Sequence, residues 1–276
     1  MKQLIQNYKT GEMNKSRTNK QDLQTEIEWY DSGRFYIDSG HWTSHPLFAS
    51  RERHWLSGEV EKIRFYGYLS RYISDRPYYQ KAKVLIAPIG TGYEIKYLQG
   101  LYNQIHGIDI SERALAQCPA HIVTKKANIL QSGYMDESFD IIICPLFLHH
   151  VHKVGFSPFL AEYYRILRGG GALVIHEPSV LFPPSRLAYL LRFFMGNVTG
   201  LVKDERPIFP PDLTRDLKEV GFIRIQYRGL SFSHVRYPVF LQAINLLLDW
   251  PWRLLWPFKL FSNGIGWYCE KPGDKR

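Results

Sequence analysis

Two glycines and one carboxylate lie along this chain at the spacing of a nucleotide-binding site. Gly90 and Gly92 close a short turn after the apolar run at 83–89, and Asp109 ends the next apolar run, 19 residues after Gly90. Glycines let backbone amides approach a ligand closely, and a carboxylate at that distance can bind ribose hydroxyl groups. The glycine turn and Asp109 together predict a ligand with a ribose. Taken singly, the glycines could be turn formers and Asp109 a helix N-cap, although Ser111 also suits that position.

A group of histidines follows the apolar run at 139–144. His149, His150 and His152 would lie just past the carboxyl end of a parallel strand, where open α/β sheets bind their ligands. An imidazole titrates near neutral pH, so one of them could act as a general base. The alternative is that they cap the following helix or bond to the backbone.

Alternating strand-like and helix-like runs position these residues. The predicted strands cover 84–87, 104–108, 122–125, 139–144 and 172–175, and the predicted helices between them cover 93–101, 111–117 and 156–167. Arg168 and the three glycines after it are predicted to cap the last helix and turn the chain. This alternation predicts an α/β fold with a doubly wound, mostly parallel sheet.

The chain divides into four predicted parts. They are an N-terminal arm and helical cap at 1–80 with a helix at 58–73, a Rossmann-like core at 81–178, an insertion or lid at 179–210 with a helix at 185–195, and the C-terminal part of the core at 211–276. The last part contains a predicted helix at 211–220, strands at 222–228 and 266–270, and an apolar, Trp-rich insertion at 237–261.

The composition is that of a folded, basic protein. The 276 residues are 45% apolar, enough for a buried core, and the net charge is +9. Such a surface can be merely solvated, or it can attract an anionic membrane. Nucleic acid is not expected, because no nucleic-acid-binding motif occurs. Three widely spaced cysteines argue against a disulfide framework and a metal site, and the polar N-terminus predicts a cytoplasmic location.

Four segments resemble the class I S-adenosylmethionine-dependent methyltransferases, in the small-molecule, type 11-like branch that includes quinone and sterol methylases. They are VLIAPIGTG at 84–92, GIDIS at 107–111, ANI at 127–129, and FDIIICPLFLHHVH at 139–152 leading to YRILRGGG at 164–171. Their order and spacing match those of the family. The resemblance implies a seven-stranded Rossmann-like sheet, S-adenosylmethionine as the cofactor, and a small-molecule or lipid-like acceptor.

The resemblance also implies roles for individual residues. The implied cofactor-binding residues are Gly90, Thr91, Gly92, Asp109, Asn128 and Leu146. Asn128 stands where the family often has an Asp at the adenine, and it could equally be an ordinary turn residue. His150 is the implied catalytic base, because the second histidine of such a pair lies deeper in the family pattern. In the cap, Tyr30 and Tyr36 could face the sulfonium, although core packing is the plainer role.

Two residues depart from the family's loop, which reads acid-x-Gly-x-Gly-x-Gly. Ile86 and Pro88 replace the acid and the first glycine. Proline lacks an N–H, and the missing acid helps to orient the methionine end in relatives. An alternative is therefore a non-catalytic cofactor-binding module that regulates or scaffolds a partner. A third alternative is a nicotinamide-dependent oxidoreductase, against which Ile95 interrupts the Gly-x-Gly-x-x-Gly pattern.

The insertion at 237–261 has two open interpretations. It is rich in Leu and Trp, yet prolines and polar residues interrupt it too often for a bilayer span. It could lie in a membrane interface, with Trp at the boundary and basic residues at the headgroups. It could instead pack on the core or form a dimer contact. The oligomeric state and the acceptor are left open.

Overall fold

The computed structural model describes residues 56–74, 81–98, 100–102, 104–151, 154–187, 206–235 and 237–273. The candidate residues Tyr30, Tyr36 and His152 lie outside the described residues, as do the N-terminal arm and most of the insertion predicted at 179–210.

Seven strands form one sheet. They are β1 (Lys83–Ile86), β2 (Gln104–Asp109), β3 (Val123–Lys126), β4 (Phe139–Pro145), β5 (Leu167–Pro178), β6 (Ile223–Gly229) and β7 (Gly264–Glu270), in the order β3-β2-β1-β4-β5-β7-β6. β1 to β5 run parallel, and β7 pairs antiparallel with both β5 and β6. The strand order reverses direction between β1 and β4, which confirms the predicted doubly wound, mostly parallel sheet.

Helices cover both faces of this sheet. They are α1 (Leu56–Ile73), α2 (Glu112–Leu115), α3 (Ser157–Ile166), α4 (Pro210–Val220), α5 (Val239–Leu248) and α6 (Trp250–Leu254), together with a helical stretch at 183–187. Short 3₁₀ turns occur at Tyr93–Tyr97, Ile129–Gln131, Leu148–His150 and Phe258–Phe261. In the part of the chain that is described, no helix combines the length and apolarity needed to cross a membrane.

Alternate residues of the buried strands face opposite layers, as the period of a strand requires. Leu85, Ile142 and Ile175 face the layer of α3 and α4. Val84 and Ile143 face the layer of α1. All five are fully buried. Because both faces are covered, the strand sequences read as continuous apolar runs, which is why they were predictable.

The helix predicted at 93–101 is wrong. The structure has only a 3₁₀ turn, Tyr93–Tyr97, whose side chains are held by α1. Lys96 and Tyr97 both bond to the carboxylate of Glu59 on α1, and Glu94 forms an ion pair with Lys62. These contacts with α1 hold Tyr93–Tyr97 as a 3₁₀ turn instead of a regular helix.

The glycine turn predicted after Arg168 is also wrong. β5 already begins at Leu167, so the glycines lie inside the strand. Gly170 has a φ of 75° and its N–H donates to Lys271 O at 2.9 Å, while the register between β4 and β5 shifts between Phe139 and Ile141. The three glycines form an irregular strand start because the chain after β7 supplies a backbone partner for them.

Candidate functional site

The glycine turn and the carboxylate of β2 meet at the carboxyl edge of the sheet. The N–H of Gly90 donates to Asp109 Oδ2 at 2.8 Å. Gly90 has a φ of 55°, and a Cβ built on it would meet no atom within 4 Å. Asp109 is 8% exposed. The turn therefore presents open space beside its backbone, next to a nearly buried carboxylate, which is the form of a cradle for a polar ligand.

The second glycine has a packing reason as well as a conformational one. Gly92 has a φ of 77°, and an added Cβ would come within 3.0 Å of the side chains of both Ile95 and Pro119. The Cys118 thiol donates to Gly90 O at 3.4 Å from below the turn. Burial, and then the charge of Asp109, raises the pKa of this thiol to about 11, so it stays protonated as a donor. The turn is thus rigid where a ligand would lie against it.

The end of β2 fixes the other oxygen of Asp109. Asp109 Oδ1 accepts from the N–H of Ser111 at 2.9 Å, and the Ser111 side chain caps α2 through the N–H of Ala114 at 3.1 Å. The N-cap is therefore Ser111, and Asp109 is held by backbone donors on both sides. The alternative role of Asp109 as the cap of this helix is wrong.

Asn128 begins the 3₁₀ turn that follows β3. Its Oδ1 accepts from the N–H of Leu130 at 2.9 Å, so the turn role considered for it is present. The preceding residue, Ala127, donates from its backbone to Asp109 O at 2.9 Å. This bond ties the Asn128 turn to the end of β2, beside the carboxylate.

Leu146 directly follows β4 and has a backbone conformation that is rare for a leucine. Its φ is 52°, its side chain is 36% exposed, and its N–H donates to His176 O at 2.7 Å. Left-handed backbone at a non-glycine residue is uncommon and tends to occur at functional sites. The bond to β5 holds this conformation and turns the chain into the histidine segment.

Glu177 organises that segment, and it was missed by the sequence reasoning. This fully buried carboxylate at the end of β5 accepts from the N–H groups of Phe147 at 2.8 Å and Leu148 at 2.6 Å. Its Oε2 lies 2.7 Å from His149 Nδ1. The signal that could have found it is the one used for Asp109, a carboxylate that directly follows a buried parallel strand.

The two histidines of this turn differ in exposure. His149 is buried against Glu177, whereas His150, the residue predicted as a base, is partly exposed and lies with its ring centroid 4.0 Å from that of His149. A neutral His149 that donates from Nδ1 carries its acceptor lone pair on Nε2. Glu177 therefore orients one imidazole, and that imidazole in turn contacts the other.

At the position where the family has an acid, β1 ends in Ile86, which has no carboxylate. Ile86 is fully buried in the core, so its side chain cannot reach a ligand. Two residues beyond the turn, Glu94 is nearly buried and bonds through Oε1 to Lys62 of α1, while its buried Oε2 has no hydrogen-bond partner among the described residues. A carboxylate thus stands close in sequence to the glycine turn, on the side of α1.

Comparison with known proteins identifies a related family and related folds. Residues 87–175 match a family described as a methyltransferase domain. Over 111 residues, the chain is 33% identical to an uncharacterised protein of Haemophilus influenzae. This alignment covers 36% of this chain and 44% of that protein. Over 151 residues, it is 24% identical to a probable S-adenosylmethionine-dependent methyltransferase of Mycobacterium tuberculosis, covering 53% of this chain and 51% of that protein.

These matches span about half the length of the curated relatives. Among solved structures, a SAM-dependent methyltransferase of Thermotoga maritima aligns with a TM-score of 0.52 at 18% identity, covering 79% of this chain and 97% of that chain. At this identity the likeness shows the fold alone.

The matched segment contains the glycine turn, Asp109, Asn128, Leu146 and both described histidines. Within residues 87–175 the chain matches the methyltransferase-domain family, and the predicted resemblance to the S-adenosylmethionine-dependent methyltransferases is confirmed there. S-adenosylmethionine is the cofactor of that family.

Proposed function

We propose that this protein is an S-adenosylmethionine-dependent methyltransferase that acts on a small or lipophilic acceptor. The observation that carries the proposal is the junction of Gly90 and Asp109, where an open glycine turn stands within hydrogen-bond distance of a nearly buried carboxylate. This junction lies at the carboxyl edge of a doubly wound sheet, where such folds bind nucleotide-like ligands.

The donor set of the edge fits the cofactor. A ribose needs an acceptor for its hydroxyl groups, and the Asp109 carboxylate, which accepts hydrogen bonds from the N–H groups of Gly90 and Ser111, is a group of that kind. The backbone of the turn at 90–92 would hold the methionine end. Asn128 and Leu146 would line the adenine side, since both follow strands at the same edge.

The cofactor, when bound, supplies a methyl group on a positively charged sulfur for in-line attack by an acceptor atom. The protein's task is to position both partners and exclude water. If the acceptor must lose a proton, we propose that His150 accepts it, with His149 held beside it by Glu177. The carboxylate then acts through His149 as a positioning group.

A second function is supported by a specific observation. Ile86 is buried in place of the family's acid, and Pro88 has no N–H to offer. A protein that binds the cofactor without transferring its methyl group, and that regulates or scaffolds a partner, would tolerate both changes.

Isothermal titration calorimetry with S-adenosylmethionine, S-adenosylhomocysteine and NADH tests the proposal. We expect the two methionine-derived ligands to bind and NADH not to bind. Asp109→Asn should weaken binding about ten- to a hundredfold, because a hydrogen bond to a charged group contributes about 1.5–3 kcal/mol. Gly90→Ala should also weaken it, because a methyl group would fill the open space of the turn.

Glu112→Gln is the matched control, since Glu112 lies near Asp109 but its side chain is 79% exposed. Its affinity should equal that of the wild type. Absence of heat with S-adenosylmethionine, or tighter binding of NADH, would refute the proposal. Binding without transfer of a radiolabelled methyl group to small-molecule or lipid extracts would favour the non-catalytic module.

A further inference from the structure

The segment 239–261 shows an inverted distribution of polarity. We call it the apolar platform; it comprises α5, α6 and the 3₁₀ turn Phe258–Phe261. Every residue of the platform that is classed as exposed is apolar. Its large exposed side chains are Phe240, Leu241, Ile244, Leu247, Leu248, Trp250, Trp252, Leu254, Leu255, Trp256, Phe258 and Phe261. The insertion does pack on α1, as one of the two interpretations had it, but its large apolar side chains are exposed.

Polar residues face inward instead. Gln242 is fully buried, and its Oε1 accepts from the N–H and hydroxyl of Ser57 at 2.9 and 2.8 Å. Asp249 is 1% exposed and accepts from Arg64 at 2.7 Å and from Arg253 at 3.2 Å. These hydrogen bonds hold the platform on the rest of the protein. Because Gln242 and Asp249 occupy its inner side, the apolar side chains face outward.

Basic residues lie beside this apolar surface on the side of Tyr68 and β6. Arg253 of α6 donates to the hydroxyl of Tyr68 at 2.7 Å, and Tyr68 lines a cavity of about 660 Å³ that also has Arg71, Arg224 and Arg228 in its wall. One carboxylate, Glu270, lies in the same wall beside Arg224. The described part of the cavity wall thus carries three cations and one anion.

The platform itself contributes a cation on the same side. The ammonium of Lys259 lies 4.4 Å from the ring centroid of Tyr227, the neighbour of Arg228 in β6. Burial, and then the charge of Arg228, lowers the pKa of Lys259. An anionic partner would relieve this repulsion.

We propose that the apolar platform docks on the surface of an anionic lipid membrane, with its Leu, Phe and Trp side chains in the interface and the neighbouring basic groups at the headgroups. Three exposed tryptophans, Trp250, Trp252 and Trp256, suit the boundary between headgroups and acyl chains. The adjacent cations match anionic phosphates, and the overall charge of +9 attracts the protein to such a surface. An exposed face made of apolar residues, with basic residues beside it on one side, favours lipid over a protein partner.

Flotation with lipid vesicles tests this proposal on the full chain. Vesicles of phosphatidylcholine alone are compared with vesicles that also contain phosphatidylglycerol, at low and moderate salt. We expect binding to the anionic vesicles, weakened by salt, with a blue shift of tryptophan emission. The double variant Leu247→Glu/Trp256→Glu should lose at least about tenfold in binding, since it places charges in the apolar interface.

Two further variants separate the contributions. Arg228→Gln should weaken binding to anionic vesicles about fivefold, as expected for one basic group near the surface, and should leave binding to neutral vesicles unchanged. Met135→Glu is the matched control, because Met135 is 81% exposed and lies outside the platform. It should bind like the wild type.

The proposal is overturned if the wild type does not bind anionic vesicles, or if Met135→Glu and the double variant lose binding equally. Concentration-dependent dimers that Leu247→Glu/Trp256→Glu abolishes, without vesicle binding, would assign the platform to a second copy of the chain. Circular dichroism of each variant shows that its fold is retained. None of these measurements needs the cofactor, so they stand apart from the proposed methyl transfer.

Discussion

The cofactor edge and the apolar platform place their polar residues in opposite ways. At the edge, apolar strands fill the core and a carboxylate follows directly at the end of β2 and of β5, as Asp109 and Glu177. On the platform, Gln242 and Asp249 lie inside while leucines and tryptophans lie outside. Both regions contain buried polar groups that accept hydrogen bonds from neighbouring donors. The buried polar residues, together with apolar burial, therefore determine which surface each region exposes.

The largest expected effect comes from breaking the platform's anchor. Asp249→Ala removes the partner of Arg64 and Arg253 and leaves both cations in partly buried positions. We expect the free energy of unfolding to fall by about 3 kcal/mol, at the lower end for a broken buried pair because both arginines keep some contact with water. Urea denaturation measures this change.

The exposed pair Glu112–Lys126 provides the control for this substitution. Glu112→Ala should alter stability by less than about 1 kcal/mol, because surface ion pairs contribute little. Equal losses in the two variants would show that the platform is not held by its polar anchors.

A smaller effect is expected at the cofactor edge. Glu177→Gln keeps the shape of the side chain but replaces one acceptor oxygen with an amide donor that faces backbone N–H groups or His149. We expect a loss of about 2 kcal/mol in urea denaturation.

Vesicle binding by the platform should be unchanged in Glu177→Gln, because the edge and the platform have separate anchors. A variant that retained full stability would contradict the role of Glu177 as the organiser of the turn Leu148–His150.

The smallest effect concerns the pH dependence of stability and a third carboxylate, Glu61 of α1. Burial by itself would raise the pKa of Glu61, but the neighbouring His176 and hydrogen bonds from Ser231 and Asn263 lower it below its ordinary value of 4.5. His176 Nε2 lies 3.6 Å from Glu61 Oε2. Between its lowered pKa and about pH 4.5, Glu61 is therefore less protonated in the folded protein than in the unfolded chain.

The sign follows from that difference. Ionised Glu61 stabilises the fold fully above about pH 4.5, and this contribution is lost as the pH falls toward the lowered pKa. Glu61→Gln should flatten the fall in melting temperature below pH 4.5, measured against wild type in the same buffers. An unchanged acid profile would remove Glu61 as a contributor.

The sequence predicted the parallel core well because its central strands, such as β1 and β4, are buried on both faces. Runs such as 139–144 read as continuous apolar segments and turned out as β4 with an extension of one residue. Asp109 and its 19-residue distance from Gly90 placed both residues at the same sheet edge, where the structure joins them by a hydrogen bond. Local chemistry also identified Ser111 as a helix cap.

Other features depended on contacts that no local pattern contains. The segment after Gly92 has the composition of a helix, yet α1 holds it as a 3₁₀ turn through Glu59 and Lys62. Glu177 is as local in sequence as Asp109, but its importance appears only when β4 and β5 pair and bring His149 to it. Pairing of this kind joins residues far apart in the chain.

By itself, the sequence determined the strand and helix alternation, the glycine turn with its carboxylate, and the apolar character of 237–261. Each of these features depends on residues that lie close together in the chain. Only the tertiary structure decided which side of that insertion faces outward. Gln242 and Asp249 find their partners on α1, about 185 residues earlier in the chain, and those hydrogen bonds turn the apolar side chains away from the protein. Hydrophobicity alone would have predicted the opposite orientation, because it favours apolar residues inside unless buried polar anchors prevail.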